Sequence, residues 1–285
     1  MSRQGGAVAL AVAVARAADD NDVRYPAAAL AYYTFISLLP ILVLVVAFFG
    51  QEAATWAGDA LPRLLTLEAQ LLIRQSLATA TGRTGATVLA VGVLLWGGAN
   101  VVVGFLTVVD RVEGATDASV TTDAKDAKDA KDAKDAKDAK RRTRAERVRN
   151  AVVVVGSLSL AIVAVALTGQ FYASVTAGTL LQYAWPIVMF ATLVAVFVPL
   201  YSVPSRLAST PGAALPGAAF AAFGWTVLVV AIQLYAAYAA EYALYGVLGG
   251  IILIFTALYL AAFALLVGVV VNATLVRGSW ESSPV

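Results

Sequence analysis

Residues 150–205 read NAVVVVGSLSLAIVAVALTGQFYASVTAGTLLQYAWPIVMFATLVAVFVPLYSVPS, 56 positions without one Asp, Glu, Lys or Arg. A bilayer core about 30 Å thick is crossed by roughly 20 apolar helical residues. A charged group at its centre costs on the order of 3 kcal/mol on insertion scales. A stretch of this length therefore crosses twice. Gly169 to Tyr183 holds Gln170, Ser174, Thr176, Gly178, Thr179 and Gln182, and this spacing predicts a short polar turn between the two crossings.

Outward from that run the pattern repeats. Tyr25–Gln51, Thr84–Val109, Leu207–Ala240 and Tyr242–Val276 are also free of formal charge, in a chain that is 60% hydrophobic and only 13% charged. The fold class expected is all-α, a polytopic membrane protein with six transmembrane helices and additional interfacial helices. The spans are expected near 27–49, 86–109, 151–168, 185–201, 213–235 and 246–276. Pro40 lies inside the first span and should kink it, freeing a carbonyl that Thr34 or Ser37 is placed to satisfy. The last span exceeds one membrane thickness and must tilt or extend. Between the first two spans, Pro62 to Ala78 mixes leucines with Arg63, Glu68, Arg74 and Gln75, which suggests an interfacial helix. Asp110-Arg111 reads as the end of span two.

Residues 1–24 form a separate N-terminal segment. Arg3 followed by the apolar run Ala7–Ala15 has the outline of a short signal peptide. Its Ala and Val composition favours a cytoplasmic helix lying on the membrane surface. Asp-Ala-Lys is repeated six times from Asp123 to Lys140 and contains every Lys of the protein. The repeat has no net charge and nothing to bury, so it reads as a solvated, low-complexity cytoplasmic insert. Five of the nine residues Arg141–Arg149 are Arg, suited to phosphate headgroups. Orientation follows the distribution of Lys and Arg. Six spans put both termini on one side, with 17 of the 20 basic residues, and leave Arg63, Arg74 and Arg83 opposite. Both termini are thus expected in the cytoplasm of a cell membrane.

The chain has no Cys and no His, so disulfides, thiolate metal sites and the usual neutral-pH base are excluded. The net charge of +2 carries no nucleic-acid footprint. No catalytic set, metal cluster or cofactor loop is visible, and the protein is expected not to be an enzyme and to need no cofactor. The intramembrane polar groups remain. Asn100 and Asn272 are the costliest, because an unpaired amide in hydrocarbon loses several kcal/mol. As plain structure, each bonds a neighbouring helix. As function, they line a polar path with Tyr32, Tyr33, Ser37 and Gln233. Gly246, Gly249 and Gly250 at the start of the last span allow close helix packing.

The segment ALAYYTFISLLP, Ala29 to Pro40, resembles the opening signature of the YihY/BrkB family of inner-membrane proteins. Leu95-Trp96 through Asp110-Arg111, Leu215-Pro216-Gly217-Ala218, Tyr245-Gly246-Val247-Leu248-Gly249 and Gly268 to Ala273 support the resemblance, which covers about Asp20 to Leu275 without the repeat. It implies six helical spans and cytoplasmic termini. The family has been labelled ribonuclease BN, an activity for which these residues offer no base, metal cluster or basic groove. The chain departs from the family pattern at Val270, where a Glu is usual, and at Ala257, where a Trp is common. The function expected is transport of a lipid or another amphipathic solute, and the alternative is a non-catalytic scaffold that organises the envelope. The partners expected are membrane lipids, with self-association into a homo-oligomer left open and no nucleic acid.

Overall fold

The computed structural model describes residues 3–38, 40–41, 44, 80–120, 144–174, 180–238 and 246–281. Among these there are seven helices and no strand: α1 (Arg3–Asp20), α2 (24–38, with 40, 41 and 44 also helical), α3 (Ala80–Val120), α4 (Arg144–Ser174), α5 (Leu180–Ser202), α6 (Pro211–Tyr238) and α7 (Gly246–Glu281). Helix is the form that satisfies every backbone polar group within one segment, which hydrocarbon demands.

Five helices are long and apolar enough to cross a bilayer, over Thr87–Gly114, Glu146–Gly169, Ala184–Ser202, Pro211–Tyr235 and Ile251–Val276. The all-helical architecture with membrane-length apolar helices thus holds, and among the described residues there are five candidate crossings. The remaining expected crossing, 27–49, is described only in its first part, as α2. The expected interfacial helix over 62–78 and the repeat at 123–140 lie outside the described residues.

Helix α3 continues past Asp110-Arg111 to Val120. One expectation is corrected. The polar stretch after Gly169 is not a turn throughout, because α4 stays helical to Ser174 and α5 begins at Leu180. Uncharged Gln, Tyr and Ser have only modestly lower helix propensity than Ala, so polarity alone does not break a helix.

The chain divides into two compact units. Unit 1 comprises Met1–Pro26, Phe105–Val230 and Phe263–Val285; unit 2 comprises Ala27–Gly104 and Ala231–Ala262. Unit 1 contains most of the fully buried large side chains: Phe105, Val108 and Val112 of α3, Val154 of α4, Met189, Leu193, Phe197 and Leu200 of α5, and Leu266 and Val270 of α7. There α4 packs along α5. Helix α6 adds a small-residue face, Ala214, Ala218, Ala221 and Ala222, all buried. That face lets α7 approach closely. A Cβ at Gly217 would collide with the carbonyl of Gly268 and the amide of Asn272, and one at Gly268 with the hydroxyl of Tyr201. Dispersion gained at such short backbone separation, rather than the hydrophobic effect, holds helices together in lipid.

In unit 2, α2 and α3 run antiparallel. Gly104 sits against Leu30, and Gly97 against Ser37 and the carbonyl of Tyr33. Phe35 and Phe255 bring α2 and α7 together with ring centroids 4.5 Å apart.

Candidate functional site

Tyr32, Tyr33, Ser37, Asn100 and Gln233 belong to unit 2, and Asn272 belongs to unit 1. In unit 2, the alternation of polar and small residues on α2 and α3 sets up a polar–aromatic face. The ring of Tyr33 meets Tyr32 at 5.5 Å and Trp96 at 5.4 Å, both edge to face, the arrangement ring quadrupoles prefer. Tyr32 is 49% exposed and Trp96 53%. Asn100 stands one turn beyond Trp96, partly exposed, and its Nδ2 donates to the Trp96 carbonyl at 2.7 Å. Its amide therefore turns back on its own helix. Gln233, on α6, is partly exposed.

The hydroxyls expected to serve the kink at Pro40 are used otherwise. Thr34 Oγ1 donates to the Leu30 carbonyl and Ser37 Oγ to the Tyr33 carbonyl, each at 2.8 Å. This is the i−4 back-bonding that Ser and Thr make when buried in a helix. Ser37 is at the same time the residue that fills the gap left by Gly97.

Asn272 has the interhelical role that the plain structural reading assigns. Its Oδ1 accepts from the Gly217 backbone N–H at 2.6 Å and its Nδ2 donates to the Ala214 carbonyl at 3.3 Å. Both partners lie in the first turns of α6, where Thr210 caps the helix by accepting the Ala213 N–H. Gly246, Gly249 and Gly250 are helical in α7, and their surroundings lie outside the described residues.

A second polar cluster in unit 1 was not anticipated from sequence. Glu113 of α3 is 7% exposed and faces the α5–α6 connection. Its Oε1 accepts from Ser205 Oγ at 2.5 Å and from the Arg206 backbone N–H at 2.9 Å, and its Oε2 accepts from the same N–H at 3.1 Å. Ser205 Oγ in turn accepts the Ala208 N–H at 2.8 Å. Tyr201, also buried, donates its hydroxyl to the Leu265 carbonyl at 2.7 Å and so ties α5 to α7. Val109, Glu113, Tyr201, Ser205 and Asn272 are among the residues that line a cavity of about 10 Å³, room for about one water. On the same helix, Arg111 Nη1 donates to the Asn21 carbonyl at 3.3 Å. Among the described residues there is no cluster of three metal-ligating acidic, His or Cys side chains.

The polar residues of both units sit on apolar helices of membrane-spanning length. A family model described as virulence factor BrkB matches residues 14–283. The chain belongs to the BrkB family. No curated protein and no solved structure matches it. Within this chain, Gly217 and Gly268 are positions where α6 and α7 come together backbone to backbone.

Proposed function

We propose that this BrkB-family protein transports an amphipathic solute, a lipid by class, along the polar–aromatic face of α2 and α3. The observation that supports this reading is the placement of Tyr32, Trp96 and Asn100 at exposed or partly exposed positions of two apolar helices. A phenol, an indole N–H and an amide presented to hydrocarbon cost free energy unless a polar group meets them. A headgroup passing along the face would meet them, while the acyl chains stay in lipid. Catalysis has no part in this reading, and the protein acts in the cell membrane with both termini in the cytoplasm.

A second reading, the non-catalytic scaffold, draws on unit 1, whose cavity has room for about one water and whose helices are clasped by Asn272 and Tyr201. Reconstitution decides between them. Purified protein is placed in vesicles with a fluorescent phospholipid in both leaflets, and dithionite is added outside. Transport predicts that inner-leaflet label is carried to the outer leaflet and reduced there in wild-type vesicles, and at least about tenfold more slowly with Asn100→Leu, a rise of roughly 1.4 kcal/mol in the barrier. Wild-type vesicles that lose only their outer label would leave the scaffold.

A further inference from the structure

The cavity of unit 1 is too small for any solute with an acyl chain, yet its lining is unusual for a packing defect. Four of its residues bear side-chain oxygens: Glu113, Tyr201, Ser205 and Asn272. The hydroxyl hydrogens are committed elsewhere: Tyr201 gives its own to the Leu265 carbonyl and Ser205 gives its own to Glu113. The Asn272 amide nitrogen gives one of its two hydrogens to the Ala214 carbonyl, and its Oδ1 keeps a lone pair beyond the bond from the Gly217 N–H. The four side-chain oxygens thus still offer lone pairs, which is what a cation takes.

Charge points the same way. Glu113 is more than nine-tenths buried, and the groups bonded to it are donors: the Ser205 hydroxyl and the backbone N–H groups of Arg206 and Leu207. Its charged neighbour is Asp110, another acid. Arg206 offers it a backbone N–H, and the Arg206 side chain is exposed. Backbone donors support a carboxylate without neutralising it, and a buried charge without a countercharge is costly.

We propose that this cavity binds a small monovalent cation, sodium, with the Glu113 carboxylate supplying the countercharge and Tyr201, Ser205 and Asn272 neutral oxygens. Size and charge select the ion. The space admits about one water-sized body, and a single carboxylate matches one positive charge, whereas calcium and magnesium sites gather several acidic or water ligands. The cavity lies at the Gly114 end of the α3 crossing, next to the connection that carries exposed Arg206, Ser209 and Thr210, so the ion enters from the aqueous side. The site stands independently of the transport reading, because its occupancy is measured without any solute being moved.

The test uses the full chain in detergent. Thermal unfolding is followed in sodium chloride and in N-methyl-D-glucamine chloride at equal ionic strength. Sodium should raise Tm saturably, by about 3 °C when it reaches about five times its Kd. The organic cation and caesium, both too large, should not. Glu113→Gln keeps a carbonyl for Arg206 and Ser205 but removes the charge, and should abolish the sodium response. A wild-type Tm that ignores sodium overturns the proposal, and this result needs no variant to fold. So does a Glu113→Gln protein whose Tm still rises with sodium. A response of equal size to sodium and N-methyl-D-glucamine is ionic strength alone and overturns it as well.

Discussion

Asn272 and Asn100 are the same residue type on spans of similar character, and their surroundings give them opposite consequences. Asn272 is buried and bonds the Gly217 N–H and the Ala214 carbonyl of another helix, whereas Asn100 is partly exposed and bonds its own helix. Replacing Asn272 by Leu removes two interhelical bonds and orphans a buried N–H, at a cost of about 1–3 kcal/mol. Replacing Asn100 by Leu should cost under about 0.5 kcal/mol. Thermal unfolding in detergent separates the two, and an Asn272→Leu protein that melts with the wild type would remove the clasp from the account. Asn272 was legible in the sequence because a lone amide in an apolar run has to be paired. Glu113 was not. It follows Asp110-Arg111, where a further charge looks like ordinary water-facing helix, and its partners Ser205 and Arg206 are 92 and 93 positions away. No local pattern connects them.

The elements were legible by charge-free length and illegible by polarity at their ends. Helix α3 has 41 residues where 86–109 was expected to span, because a helix that leaves the bilayer need not stop there. The joint between α1 and α2 shows what does stop one. Asp22 takes φ of 50°, Asn21 Nδ2 bonds back to the Ala17 carbonyl at 2.7 Å, and the next helix starts at residue 24. In the left-handed region a side chain costs about 1 kcal/mol relative to glycine, least for Asp and Asn. Asp22→Gly should therefore hold or raise stability by up to about 1 kcal/mol, while Asp22→Val lowers it by about 1–2 kcal/mol. The exposed Arg24–Asp19 pair beside it contributes little in water. Equal melting of the Gly and Val variants would show that the joint relaxes freely.

For the whole molecule the open quantity is orientation, and the sequence itself supplies the means to measure it. With no native Cys, single cysteines report unambiguously. Ala127→Cys and Ser283→Cys should react with an impermeant maleimide only after the cells are opened, and Ala69→Cys should react in sealed cells. Labelling of Ala127→Cys from outside would invert the topology. The bond between Glu113 and Ser205 also has a consequence in time. At roughly 5–20 residues per second of synthesis, the ribosome needs about 5–18 s to cover the 92 positions between them. An interval of the same length separates the emergence of Glu113 from the exit tunnel and that of Ser205, and during it the carboxylate has nothing to accept from. The nascent chain must keep Glu113 in water until α5 and its trailing connection arrive. A chain cut short after α4 would hold that carboxylate permanently without Ser205 and Arg206, making it a natural mark by which quality control could tell an unfinished protein from a finished one.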